Sequence, residues 1–232
     1  MHVHSTKEDY LIKGHNGLET CVILSETPIF AKEKKFMERE TVKEVLRRFN
    51  EHGVHYCLIG GLSLAHHSIP RRTQDVDILV LPEDLPLVQQ LLKGHQQRGT
   101  AVVLIFQIGE TRIDIIPANL RAKRQAVLEC IDDVLDELPV KVANLRDLIL
   151  LKMWAAPDRP ERIKRMQDET DIVGLIEMNA EKVSTADIAY ICDSLLKMVY
   201  SAEDVQKYRA QIEWLNSELE KLGLSDRRYT PP

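Results

Sequence analysis

The sequence contains no long hydrophobic run and no closely spaced cysteines, and each absence argues against a class of protein. No stretch approaches the roughly 18 consecutive apolar residues of a membrane-spanning helix, so we predict no membrane partner. The four cysteines stand far apart and form no Cys-x-x-Cys pair, which argues against a zinc ribbon or a dithiol redox motif. The first ten residues lack the basic and apolar segments of a secretory signal, and we expect a cytoplasmic protein.

An excess of positive charge is also missing. Acidic side chains outnumber Lys and Arg by 36 to 31, which gives a net charge of −5. No overall basic field is therefore available for non-specific binding to nucleic acid, and a nucleic-acid substrate would need a local basic patch. The 232 residues suffice for one sizeable core or two small domains.

What the sequence does contain is a strand, a glycine turn, a short helix and a second strand in close succession. The apolar run Tyr56–Ile59 predicts a buried strand, and Gly60-Gly61 ends it. Residues 62–67 are typical of a short helix, and Asp75–Val80 predicts the second strand. A glycine turn that opens a helix presents backbone N–H groups to a phosphate, although the same pattern also occurs as a simple tight turn.

The second strand carries two carboxylates. Side chains alternate between the two faces of a strand, so Asp75 and Asp77 share one face. Two such carboxylates repel each other unless a cation lies between them. They could also be solvated surface residues, but Asp is depleted in strands and this strand is otherwise apolar. The pattern therefore predicts a divalent-metal site beside the glycine turn.

These motifs resemble the nucleotidyltransferase superfamily, which includes DNA polymerase beta. The resemblance consists of Gly60-Gly61, then Arg72-Thr73-x-Asp75-x-Asp77, then a third acidic residue, Asp114, on a later strand. It extends over about residues 40–178 and is nearest to small prokaryotic proteins related to abortive-infection toxins. Many members have Ser directly after the first glycine, whereas here the next serine is Ser63.

The resemblance implies a magnesium-dependent nucleotidyltransferase. Two Mg²⁺ ions would be held by Asp75, Asp77 and Asp114, the predicted catalytic carboxylates. The enzyme would move a nucleoside monophosphate group from a nucleoside triphosphate (NTP) to a hydroxyl of an unknown acceptor, and pyrophosphate would leave. The acceptor could be RNA, a protein or a small molecule.

The resemblance also implies a set of nucleotide-binding residues. Around the glycine turn these are Gly60, Gly61, Ser63, Arg72 and Thr73; Arg72 could instead pair with a core carboxylate.

In the toxin-like group a helix lysine and a later aspartate line the active site, and Lys152 and Asp171 stand in this order. Lys152 would be catalytic and nucleotide-binding, Asp171 nucleotide-binding. Alternatively, Lys152 extends to solvent from its apolar helix, and Asp168 and Asp171 form a solvated helix face.

Two rival functions remain open at this point. The protein could be a non-catalytic nucleotide-binding module of the same fold. It could also be the toxin component of a toxin–antitoxin pair that acts on tRNA or protein, with an antitoxin as its partner.

The hydrophobic pattern predicts an α/β or α+β fold. Residues 37–143 would form a nucleotidyltransferase-like core with a small mixed β-sheet and flanking helices. Residues 144–232 would form a helical C-terminal region, and residues 1–36 an N-terminal extension. In the core we predict helices at 39–53 and 83–93, a loop at 94–100, and a mostly helical segment at 119–138.

Two further strands are predicted at residues 101–106 and 111–116, separated by the turn signal Gly109-Glu110. Their antiparallel pairing would bring Asp114 close to the strand of Asp75 and Asp77. In the C-terminal region, caps are predicted at Asn144, at Ser184 or Thr185, and at Ser201.

Overall fold

A computed structural model describes residues 38–70 and 73–231, and the statements below concern these residues. Two of the predictions, the N-terminal extension and Arg72, lie outside them. Among the helices in the described ranges, none combines the length and apolar character that a membrane span requires.

Seven strands form one mixed sheet in the described part of the chain. They are β1 (Tyr56–Ile59), β2 (Asp75–Val80), β3 (Gln96–Thr100), β4 (Val103–Ile108), β5 (Thr111–Pro117), β6 (Ile131–Leu135) and β7 (Leu138–Val142). The order across the sheet is β3-β4-β5-β2-β1-β7-β6. The pairs β2–β5 and β1–β7 are parallel, and the other neighbouring pairs are antiparallel.

Eight α-helices accompany the sheet within the same ranges. They are α1 (Arg39–Glu51), α2 (Gly60–His66), α3 (Leu85–Leu91), α4 (Arg121–Leu128), α5 (Leu145–Ala155), α6 (Arg162–Met178), α7 (Thr185–Lys197) and α8 (Ala202–Lys221). Asn144, Ser184 and Ser201 accept hydrogen bonds from backbone N–H groups in the first turns of α5, α7 and α8, which confirms these predicted caps.

The sheet separates two hydrophobic clusters. Helices α1 and α3 cover one face, where Leu46 and Phe49 pack with Ile78 and other strand residues. Helices α4 to α8 cover the other face, and Leu79 of β2 belongs to that second cluster. Because side chains alternate along a strand, Asp75 and Asp77 lie on the same face as Leu79, toward the C-terminal helices.

The predicted α/β fold is confirmed, including the antiparallel β4–β5 pair, but two segments were predicted wrongly. Residues 96–100, expected in a loop, form edge strand β3 against β4. Residues 131–135, expected in a helical segment, form edge strand β6 against β7. An edge strand leaves one side unpaired and tolerates polar and charged side chains, so both segments lack the apolar pattern of a central strand.

Candidate active site

Four side chains on β2 and β5 form the centre of the site. The parallel register sets Asp75 opposite Arg112 and Asp77 opposite Asp114. The four side chains lie on one face of the sheet, because the two residues on each strand are two positions apart. Adjacent strands are about 4.8 Å apart, so three carboxylates and one guanidinium share a small area. We call Asp75, Asp77 and Asp114 the acidic trio.

Asp77 lies at the centre of this charge pattern. Burial raises the pKa of Asp77 to about 7, and the negative charges of Asp75 and Asp114 act in the same direction. The positive charges of Lys152 and Arg159 lower the pKa of Asp77, but by less. Protonation and a nearby cation therefore compete for this carboxyl, because a cation placed beside it would favour the charged form.

Asp114 is engaged by its neighbour on the same strand. The Arg112 Nε–H donates to Asp114 Oδ1 at 2.7 Å, and an η-nitrogen of Arg112 donates to Oδ2 at 2.6 Å. The hydrogen bonds with Asp114 raise the pKa of Arg112, as do the charges of Asp75 and Asp77. The guanidinium therefore acts as a counter-ion to the whole trio, although it contacts Asp114 directly.

The glycine turn packs against this pattern. Gly60 has a φ of +68°, and a Cβ atom at this position would lie 3.1 Å from Asp77 Cγ and closer still to Asp77 Oδ2. A Cβ on Gly61 would lie 2.6 Å from Thr73 Cβ. The two glycines therefore allow the start of α2 to approach β2 closely, in addition to forming the turn.

Two hydroxyl groups lie near the same turn. The Thr73 hydroxyl donates to the Asp75 carbonyl at 2.8 Å and thereby orders the start of β2. Ser63 is fully buried, and its Oγ has no hydrogen-bond partner among the described residues. The predicted contacts of Ser63 and Thr73 with nucleotide stay predictions.

A second charged cluster lies between helices α5 and α6. Lys152 Nζ donates to Asp168 Oδ1 at 3.1 Å and to Asp171 Oδ2 at 2.7 Å. Arg159 Nε donates to Asp168 Oδ2 at 2.7 Å. The Lys152 side chain is only 8% exposed, so it does not extend to solvent. Since Lys152 and Arg159 both lower the pKa of Asp77, this cluster is electrostatically connected to the trio.

Two cations of the site were missed in the sequence interpretation. Arg112 precedes Asp114 by two positions on one strand. Because side chains alternate between the two faces of a strand, the sequence could have predicted that both lie on the same face. Arg159 lies between the short 3₁₀ helix Ala156–Asp158 and α6, where no periodic pattern predicts side-chain direction. The structure brings Lys152 and Asp171 together, the lysine and the aspartate that the resemblance sets in one site.

The donor chemistry of the trio fits magnesium, which prefers carboxylate oxygens. Within residues 38–70 and 73–231, however, no three His, Cys, Asp or Glu side chains are arranged to hold a metal ion together. Both Asp114 oxygens, which a metal ion would need, accept hydrogen bonds from Arg112. The residues therefore fit the ion in type and strand position, while Asp114 would have to exchange its partner.

Comparison with known proteins identifies relatives only at the level of structure. No family model matches the chain, and no curated protein matches it in sequence. An antigenic nucleotidyltransferase-like protein from Paracoccidioides brasiliensis superimposes with a TM-score of 0.53 at 16% identity, over 84% of this chain and 94% of that protein.

Two further structures match with lower scores. The antibiotic-resistance factor ANT(2'')-Ia has a TM-score of 0.47 at 17% identity, over 79% of this chain and 95% of its own. JHP933 from Helicobacter pylori has a TM-score of 0.42 at 12% identity, over 80% and 93%. At such identities a likeness shows the fold alone, and the argument for the fold depends on the first match.

Proposed function

We propose that this protein, whose fold is that of the nucleotidyltransferase superfamily, transfers a nucleoside monophosphate group from an NTP to an acceptor hydroxyl and releases pyrophosphate. The observation that supports this proposal is the register of β2 and β5. It sets Asp77 directly opposite Asp114, with Asp75 two positions away on the same face. Three carboxylates gathered on adjacent strands are suited to holding divalent cations.

We assign Asp75, Asp77 and Asp114 as the residues that would hold Mg²⁺. When bound, a pair of such ions lowers the pKa of an attacking hydroxyl and stabilises the charge on a leaving pyrophosphate. A bound cation would relieve the repulsion within the trio, and it would displace the proton that the raised pKa of Asp77, about 7, favours.

The elements around the trio have separate roles in this proposal. Gly60 and Gly61 keep the start of α2 free of side chains, so that the triphosphate can approach the backbone N–H groups. Thr73 holds the backbone of Asp75 in place. Lys152 contributes positive charge near the phosphates, and Asp168 and Asp171 hold its ammonium group in position.

The proposal can be tested by labelling. The protein is incubated with each NTP labelled at the α-phosphate, Mg²⁺ and a cell extract, and the labelled products are separated. We expect transfer by the wild type, and its loss by several orders of magnitude in Asp114→Asn. Asp132→Asn is a matched control, because Asp132 is an exposed carboxylate on β6, outside the trio. Equal labelling by Asp114→Asn and the wild type would contradict the proposal.

One observation favours a second candidate, a module that binds nucleotide without transferring it. Arg112 holds both oxygens of Asp114, one of the three carboxylates that would hold Mg²⁺. If this pair is permanent, the protein should bind Mg²⁺ and NTP through the remaining carboxylates and label nothing in any extract. Equilibrium binding of NTP measured beside the labelling experiment distinguishes the two candidates.

A further inference from the structure

We propose that Arg112 is a displaceable counter-ion of the acidic trio, which holds Asp114 until a divalent cation takes its place. This inference rests on the proposed function, because it concerns the same metal site. It assigns Arg112 as a positioning residue that sets how readily the site takes up metal.

The first argument is geometric. Arg112 lies opposite Asp75 in the β2–β5 register and two positions before Asp114 on its own strand. Its two donors meet both oxygens of Asp114 in the fork arrangement that arginine forms with carboxylates. A metal ion that approached the same oxygens would meet the guanidinium charge within a few ångströms. The two cations therefore compete for Asp114.

The second argument concerns which partner can move. The Arg112 side chain is 40% exposed, whereas that of Asp114 is 10% exposed. Arg112 can rotate into water without losing solvation, while Asp114 stays on its strand among the buried isoleucines Ile113 and Ile115. Exchange therefore requires movement of one exposed side chain and no rearrangement of the sheet.

The third argument is charge balance. The ionised trio carries three negative charges, and Arg112 neutralises one of them. One divalent cation would cancel the remaining two negative charges. A second divalent cation would leave the site with excess positive charge as long as Arg112 stays in place. Loading of the site with two divalent ions should therefore expel the guanidinium from Asp114, and removal of Arg112 should ease loading.

The test uses Mn²⁺ alone as the probe, titrated calorimetrically into the full-length protein without nucleotide. We expect Arg112→Gln to bind Mn²⁺ about tenfold or more tightly than the wild type, since a competing unit charge is removed. Arg124→Gln is a matched control. Arg124 forms a similar two-bond pair with Glu83, at 3.0 and 2.6 Å, outside the trio, and its loss should leave Mn²⁺ affinity unchanged.

A second variant covers the case in which Arg112→Gln does not fold. Arg112→Lys keeps the charge but loses the fork, and its Mn²⁺ affinity should lie between those of the wild type and Arg112→Gln. In the double variant Arg112→Gln/Asp114→Asn the gain in affinity should disappear, because the contested ligand is gone.

Two results would overturn the inference, and they are distinguishable. If the wild type binds Mn²⁺ and neither Arg112 variant binds it more tightly, Arg112 does not compete with metal, and the proposed function is unaffected. If the wild type and all Arg112 variants bind no Mn²⁺ at millimolar concentration, the metal dependence of the proposed function fails, and the role of Arg112 fails with it.

Discussion

Arg112 and Lys152 both interact electrostatically with Asp77, but the protein holds these two cations in different ways. Lys152 is 8% exposed and has two carboxylate partners, Asp168 and Asp171, that are also buried. Arg112 is 40% exposed and, among the described residues, pairs directly with Asp114. The cluster of Lys152 is thus enclosed between two helices, whereas the pair of Arg112 opens to solvent at the sheet.

The difference shows what each cation is suited to do. Removal of a buried cation leaves its carboxylates desolvated and short of compensating charge, so the Lys152 cluster must stay assembled in the native state. An exposed ion pair can separate at little cost in free energy, because water then solvates both groups. We therefore expect Lys152 to provide a constant positive charge, while Arg112 responds to whatever enters the acidic trio.

The strongest test of this comparison is Lys152→Met. The variant removes the ammonium group that donates to Asp168 and Asp171, and both carboxylates stay in a buried position. We expect a loss of about 3–5 kcal/mol in the free energy of unfolding, measured by urea denaturation. The variant Lys152→Met/Asp171→Asn should recover part of this loss. A cost below about 1 kcal/mol for Lys152→Met would show that the cluster is not enclosed as described.

Gly60→Ala tests the contact between the glycine turn and the trio. A Cβ atom there would overlap Asp77, so we expect this variant to lose about 2–3 kcal/mol of stability and to weaken Mn²⁺ binding. Gly53→Ala is a matched control, because Gly53 has the same φ of +68° and a Cβ atom there would have no neighbour within 4 Å. Its cost should be about 1 kcal/mol, from the backbone alone. Equal costs for the two variants would show that Asp77 moves aside freely.

Asp77→Asn tests the repulsion between Asp77 and the other two carboxylates of the acidic trio, which Arg112 and Lys152 do not cancel. The native pKa of Asp77, about 7, lies above its ordinary value of 3.8, so the group contributes stability below pH 3.8 that is lost as the pH rises through 7. Without metal, Asp77→Asn should therefore be more stable than the wild type at pH 8, by about 1–2 kcal/mol, and the gain should shrink toward pH 5.

Thermal unfolding at the two pH values in the presence of a chelator measures this gain. Addition of Mn²⁺ should stabilise the wild type and have little effect on Asp77→Asn. A gain that is the same at pH 5 and pH 8 would mean that the charge of Asp77 is not its cause.

The smallest effect is expected for Arg112→Gln in the absence of metal. Because the pair with Asp114 is open to solvent at the arginine, we expect a loss of at most about 1 kcal/mol in the free energy of unfolding. The same urea denaturation that is used for Lys152→Met measures it. A loss as large as that of Lys152→Met would remove the distinction between the two cations.

Local patterns in the sequence determined much of the site. The period of two along Asp75–Val80 placed Asp75 and Asp77 on one face, and the glycine pair marked the start of α2. The cap residues Asn144, Ser184 and Ser201 marked three helix starts. These features depend on neighbours a few residues away in the chain, and for that reason they are readable without the fold.

Other features were decided only by tertiary structure. The parallel register that sets Asp77 opposite Asp114 joins strands separated by about thirty residues, and no local pattern specifies it. The edge strands β3 and β6 exist because β4 and β7 offer them backbone hydrogen bonds, which outweigh their polar composition. The engagement of Asp114 by Arg112 and the burial of Lys152 depend on which side chains meet at the sheet and between α5 and α6. Charge and solvent exposure at these points are properties of the packed structure, because each is set by groups that are distant in sequence.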